Sequence, residues 1–277
     1  MQLHFVKAST CRNTTAFMEG DIPNTKYAAF GKLSMDADYL AAEQAGFLVK
    51  PENPDSLLRL EMAGSEFCGN ATLALGALAV NRGKAEIGRQ FFVECSGASK
   101  PLSCVVNKCS GGHYDVSSEM PKEAKVSPFS LDVNGRHFSG GLVELPGIAH
   151  FCIEGDILSQ EIYDAVMDEI IKVCRSEAFG VIVYTRRVGA KYSIRPYVCV
   201  PSEASRVFEQ ACGTGSLALG LWMKERNEAK KLEILQPSES VLLVDVSDDV
   251  PRISADVYFP CEGSMWVDDS LAAGREE

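Results

Sequence analysis

The sequence predicts an α+β protein of two pseudo-symmetric domains, each a central helix wrapped by mixed β-sheet. Three observations predict it. Apolar runs of strand length outnumber helical stretches in both halves. Two helical stretches are apolar nearly all round, the pattern of a helix enclosed by its domain. Residues 68–76, CGNATLALG, return at 212–220 as CGTGSLALG, 144 residues later and close to half the chain.

The elements follow in order. HFVKAS (4–9) reads as a strand, and the alternating LLRLEMA (57–63) is the strand before the first Cys-Gly turn. ATLALGALAV then runs as a helix towards Asn81 and Arg82. FFVEC (91–95), LSCVV (102–106) and HYDVSSEM (113–120) complete the strands of the first half. The stretch MPKEAKVSPFS loses periodicity and marks a boundary near residue 123. The first domain is therefore 1–123, joined by the C-terminal segment 264–277, and the second is 124–263. In the second half GLVEL, AHFCIE and GVIVYT are strands, and 159–177 is a helix. KYSIRPYVCV (191–200) precedes the second Cys-Gly turn, a helix continues from Ser216 towards Lys231, and LEILQP, SVLLVDV and ISADVYF close the fold as strands.

Composition narrows the function. The 277 residues carry 27 Lys plus Arg against 38 Asp plus Glu, a formal net charge of −11. Such a surface repels nucleic acid and anionic membrane, so neither is expected as a partner. No apolar run reaches the length of a membrane span, and MQLHFVKASTCRN lacks the basic-then-apolar order of a signal peptide. A cytoplasmic enzyme of small molecules is the expectation. The ten cysteines form no CxxC pair and no zinc-finger spacing, so most are expected to be reduced and buried. No metal site is expected, and His4, His113, His137 and His150 are assigned no catalysis; His150 reads as a satisfied, partly buried residue.

Cys68 and Cys212 stand apart because each opens a helix. A helix N-terminus carries about half a positive charge and several unpaired N–H donors. A thiolate is favoured there, drawing the pKa from about 8.5 towards neutrality, and a carboxylate can dock on the same donors. Two such turns facing one cleft would hold a substrate carboxylate with a sulfur on either face of its α-carbon. That arrangement removes a proton from one face and returns one to the other. Duplication of a packing helix would preserve the apolar stripe without preserving the turn before it.

The turns EFCGNAT and QACGTGS resemble the two active-site turns of the cofactor-independent amino-acid racemases and epimerases of the diaminopimelate epimerase fold. The runs AEQAGF (42–47), MAGSEFCGNAT (62–72) and VECSG (93–97) are more similar to the histidine racemases of opine-type metallophore synthesis than to diaminopimelate epimerase itself. The resemblance covers nearly the whole chain. It implies Cys68 and Cys212 as the acid/base pair, no cofactor, and an active site between two domains. It implies Gly69, Asn70, Gly213 and Thr214 as donors to the substrate carboxylate, and Asn13 as a residue near the substrate. A homodimer is compatible with it.

Three departures from diaminopimelate epimerase bear on the substrate. Glu203 is followed by Ala204 where that enzyme has Arg, Glu61 replaces an Asn, and Ile148 in GIAH replaces another. A distal carboxylate would lose its cationic anchor, with Arg206 left as a partial substitute. A cationic or hydrogen-bonding side chain suits these replacements better. Glu43 is the first candidate to touch an imidazole, with Glu61 and Glu209 behind it. The expected activity is interconversion of L- and D-histidine by paired cysteines. The alternatives are epimerisation of another amino acid, diaminopimelate or a basic one, and a non-catalytic thiol redox switch. Isomerases of phenazine-type pathways need no paired cysteines and fit poorly.

Overall fold

The computed structural model describes residues 1–203 and 205–267. The chain runs β1 (Gln2–Thr10), β2 (Asn13–Glu19), α1 (Tyr27–Met35), β3 (Gln44–Val49), β4 (Ser56–Met62), α2 (Gly69–Asn81), β5 (Gln90–Cys95), β6 (Leu102–Ser110) and β7 (His113–Glu119). It continues through β8 (Lys125–Val133), β9 (Arg136–Leu145), β10 (Ile148–Glu154), α3 (Gln160–Val173), β11 (Ala178–Arg186), β12 (Lys191–Val200), β13 (Ser205–Phe208) and α4 (Gly213–Glu225). It ends with β14 (Lys231–Leu235), β15 (Val241–Asp245) and β16 (Arg252–Trp266). The fold is α+β and mostly sheet.

All the strands belong to one hydrogen-bonded sheet. β1 to β7 lie side by side in chain order, and β16 pairs with both β7 and β1, closing that half into a ring. From β16 the sheet runs on through β15, β14, β12, β11, β10 and β9 to β8, with β13 added on β12. Parallel and antiparallel pairs mix: β2–β3, β4–β5, β10–β11 and β12–β14 are parallel. Of the segment 264–277 attached above to the first half, Ser264 to Trp266 pair with β1. Residues 268–277 lie outside the described residues.

α2 is buried from Gly69 to Ala79 and packs on strands of the closed ring, β1, β2, β4 to β7 and β16. α4 packs on β8 to β11 and β14 to β16. One apolar core contains both helices. α3 instead lays Tyr163, Val166, Met167 and Ile170 on the outer face of the second half, the i, i+3, i+4, i+7 stripe of a surface helix. α1 covers the outside of β1 to β3 through Phe30 and a ring stack of Tyr27 on Phe47.

Several elements escaped the sequence pattern for physical reasons. α1 contains Gly31, whose added Cβ would lie 2.6 Å from the Ala63 Cβ, so close packing and not helix propensity chose that residue. β8 reads as a loose linker because it is an edge strand holding Pro128, a residue that an edge accommodates readily. The last helix stops at Glu225 rather than near Lys231, because Asn227 turns into the left-handed region at φ 57°.

The enclosed helices set the stability. Replacing Leu75, fully buried in α2, by Ala should cost about 2–5 kcal/mol in urea unfolding. Val173→Ala, at the exposed end of α3, should change it by less than about 0.5 kcal/mol.

Candidate active site

The two repeats start their helices in the same way. Cys68 caps α2 at φ −123°, ψ 112°, and Cys212 caps α4 at φ −131°, ψ 108°. Each sulfur accepts from the backbone N–H three residues on, Ala71 at 3.4 Å and Gly215 at 3.3 Å. Each carbonyl accepts the next helical N–H, from Thr72 and Ser216. The cysteines thus do the work that Ser or Asp does at ordinary N-caps.

The helix starts meet. A Cβ added to Gly69 would lie 3.4 Å from the Cα of Gly213, and one added to Gly213 would lie 2.9 Å from Asn70 Oδ1. Only glycine lets the two backbones approach so closely. Asn70 crosses the junction, donating Nδ2 to the Ala211 carbonyl at 2.9 Å. Two positive helix ends therefore converge on one spot. The first N–H groups of Gly69, Asn70, Gly213 and Thr214, which a helix start leaves without intrahelical partners, stand beside it.

A cleft lies over this junction, lined by Cys68, Cys212, Gly69, Asn70, Gly213 and Thr214, by the acidic and amide side chains Glu43, Gln44, Glu66 and Glu209, and by an apolar wall that includes Ile148 and Val198. Its cavity volume is about 40 Å³, far below the roughly 150 Å³ of a cavity that accepts a benzene-sized guest and too little for an amino acid. The cleft as it stands is closed.

Further polar contacts fix the second turn. Gln236 Oε1 accepts the Cys212 N–H at 3.0 Å, and Gln236 Nε2 donates to Ser216 Oγ at 3.0 Å. His150 is fully buried, and Nε2 contacts Thr214 Oγ1 at 2.9 Å while Nδ1 has no partner. Burial holds its pKa down to about 3, so it is neutral. An unpaired acceptor costs less than an unpaired donor, which places the proton on Nε2 and turns the Thr214 hydroxyl towards Cys212 Sγ, 3.6 Å away. The expected partly buried, satisfied histidine is thus wholly buried and half satisfied. Gln44, Gln236 and the His150–Thr214 link were not legible in the sequence, because no motif spacing marks them.

The expected depression of the thiol pKa values is not what this closed cleft gives. Burial dominates and pushes both Cys68 and Cys212 well above the ordinary thiol value; the helix-end N–H bonds pull the other way without overcoming it. The nearby carboxylates add to the rise at both, Glu209 among them. Burial likewise raises Glu43 and Glu209 to about 7, against the lowering pull of Gln210 N–H and Lys7 on Glu43 and of Cys212 and Gln44 on Glu209.

The other sequence candidates divide. Glu43 and Glu209 line the cleft. Asn13 is fully buried and reaches the site only through Glu43, donating Nδ2 to Glu43 Oε2 at 3.1 Å. Glu61 is ion-paired with Arg59 outside the cleft. Arg206 turns away to Asp168 at 2.7 Å and Asp164, while its neighbours Ser205 and Val207 face the cleft. Ala204 and the side chain of Glu203 lie outside the described residues. All ten cysteines are free, and eight are buried as expected of most of them, Cys109 and Cys261 being exposed. No group of metal-holding side chains occurs among the described residues, and no described helix is long and apolar enough to cross a membrane.

Known proteins share the fold and much of the sequence. The fold is shared with a hydroxyproline epimerase from Agrobacterium vitis, solved with bound trans-4-OH-L-proline, at a TM-score of 0.77 and 12% identity over 99% of this chain and 95% of that one. It is shared with a phenazine biosynthesis PhzF-family protein of Enterococcus faecalis at a TM-score of 0.61 and 14% identity, over 96% and 100%. Among curated proteins, a histidine racemase of Fusobacterium nucleatum is 28% identical over 272 residues, 96% of this chain and 97% of its own. A histidine racemase of Staphylococcus aureus is 25% identical over 247 residues, 87% and 88% of the two chains. The family described as "Histidine racemase CntK N-terminal domain" matches residues 2–253, and the chain belongs to that family.

Proposed function

We propose that the protein interconverts L- and D-histidine without a cofactor, using Cys68 and Cys212 as its two acid/base groups. The observation that supports this most directly is the meeting of two cysteine-capped helix starts in one enclosed cleft. A substrate carboxylate docked on the N–H groups of Gly69, Asn70, Gly213 and Thr214 places its α-carbon between the two sulfurs. One thiolate takes the α-proton, and the negative charge spreads into the carboxylate against the helix ends. The opposite thiol then delivers its proton to the other face, and the two sulfurs have exchanged protonation states.

Histidine as the substrate follows from the relatives and suits the acidic wall. Glu43 would accept from the imidazole, with Asn13 orienting its carboxylate and Glu209 adding negative charge. In this reading the halves 1–123 and 124–263 are two domains of diaminopimelate epimerase type, each built round its Cys-capped helix. Because the cleft is closed to an amino acid, the halves must part to admit substrate and shut again, expelling water from the sulfurs.

The deciding measurement is proton NMR of the reduced enzyme with L-histidine in deuterated water, with L-lysine, L-arginine and LL-diaminopimelate in parallel. Loss of the histidine α-proton together with appearance of D-histidine on a chiral column is expected. Exchange of another amino acid alone would discard the substrate and keep the chemistry. Cys68→Ala and Cys212→Ala should each abolish racemisation while leaving circular dichroism unchanged; full racemisation by either would defeat the two-base assignment. Glu43→Gln should raise KM for histidine about tenfold or more while iodoacetamide reactivity of the cysteines stays as it was, and an unchanged KM would remove Glu43 from the side-chain pocket.

A further inference from the structure

Each of the three residues that lead into α4 is tied down. The Gln210 carbonyl accepts the Ser238 N–H at 3.0 Å, the Ala211 carbonyl accepts Asn70 Nδ2 at 2.9 Å, and the Cys212 N–H donates to Gln236 Oε1 at 3.0 Å. Gln236 and Ser238 sit in the turn between β14 and β15, and Gln236 is 2% exposed. Its Nε2 donates to Ser216 Oγ at 3.0 Å and to the Ile234 carbonyl at 3.2 Å. A backbone N–H only donates and a backbone carbonyl only accepts, so the amide has one orientation in which every bond is made. One side chain therefore clips the cap of α4 to its first turn, and both to the sheet.

These ties differ in what they span. Asn70 reaches across from the first half, as does Glu43, whose Oε2 accepts the Gln210 N–H at 3.5 Å. Both contacts are given up when the halves part to admit substrate. Gln236 and Ser238 belong to the same half as Cys212 and travel with it. The first turn is held differently: Thr72, at the place of Ser216 in the repeat, donates its hydroxyl to the Cys68 carbonyl at 2.8 Å. The amide clip thus acts on one sulfur of the pair.

We infer that Gln236 is the positioning residue of Cys212, holding its sulfur at the reacting angle while the cleft is open and the contacts from the first half are broken. The inference rests on the racemase reading above. Gln236 touches no substrate and moves no proton. It fixes the backbone from which Sγ projects to meet the Gly215 N–H at 3.3 Å. A proton passes between sulfur and α-carbon only over a short, aligned path, and a misplacement of about 1 Å costs on the order of 100-fold. Loss of the clip slows the transfer at Cys212 and leaves that at Cys68 as it was.

The test is Gln236→Met, which keeps length and volume and removes the acceptor and both donors, with circular dichroism to show that it is folded. Its kcat should fall about 30- to 100-fold with KM within about threefold of wild type. Transfer at Cys212 then limits turnover in both directions. The α-deuterium isotope effect should stay full for the enantiomer that gives its proton to Cys212 and shrink towards unity for the other. Damage to the fold only lowers the active fraction and leaves both isotope effects as in the wild type, so unchanged effects would overturn the inference, as would a wild-type kcat. Gln236→Glu is the second variant. Its acid form keeps a carbonyl for the Cys212 N–H and one donor, whereas its anion turns a second acceptor on the Ile234 carbonyl. The titratable groups around the position are Cys212 on the inside and Asp156 and Arg195 in the outer cleft that Gln236 also lines. At about pH 6, where burial keeps such a carboxyl protonated, its kcat should lie within about threefold of wild type, and by about pH 9 it should drop to the level of Gln236→Met. The same deficit at both ends would count against the clip.

Iodoacetamide labelling of the ligand-free proteins, mapped by mass spectrometry, separates this inference from the racemase reading. Burial keeps both thiols unreactive, so Gln236→Met should speed labelling of Cys212 about tenfold relative to Cys68. An unchanged ratio would overturn the positioning role whatever the substrate. A changed ratio in a protein whose wild type exchanges no α-proton would sink the racemase reading alone.

Discussion

Two helix N-termini pressed against each other govern this molecule. Like ends of helix dipoles repel, and bringing them within backbone contact leaves several N–H donors aimed at one spot. The arrangement is tolerable because each helix packs on several strands and because glycine stands at both contact positions. The helix ends themselves favour an anion at the junction. In the proposed reading a substrate carboxylate would offset their mutual repulsion at the place where it binds.

The sulfurs are drawn in two directions. Helix-end N–H groups favour thiolate, while burial and a ring of carboxylates favour thiol, and in the closed cleft the second wins. Only the first pull is legible in the sequence, because position at a helix start is visible in a motif and burial depth is not. Of the three glutamates gathered in the cleft from separate stretches of chain, Glu43 and Glu209 are candidates in the sequence and Glu66 is not.

What was legible follows the same division. The repeat at Cys68 and Cys212 gave the two helices and their caps, because identical local sequence imposes identical local backbone. Strong alternation gave β4, β12 and most other strands. Residues whose role depends on distant partners were silent or misjudged: Gln44 and Gln236 follow no spacing rule, Asn13 is one residue removed from the cleft, and Arg206 turns outward because its strand alternates. β8 was lost to its proline and α1 to its central glycine, both selected by edge position or close packing rather than by propensity.

The acid cluster also carries an electrostatic cost. Glu43 and Glu209 have folded-state values near 7, above those of the unfolded chain. A raised carboxyl contributes stability that is complete below the unfolded value of about 4.5 and is lost as pH rises through about 7. At neutral pH the empty site is therefore under electrostatic stress from its own carboxylates, as well as from the converging helix ends. In the proposed reading an amino-acid zwitterion would answer both with one molecule, its carboxylate meeting the helix ends and its cationic groups meeting the glutamates. A purely anionic ligand would satisfy only the helix ends. On that reading complementarity to both charges would select the substrate class, and the side-chain wall around Glu43 would select within it.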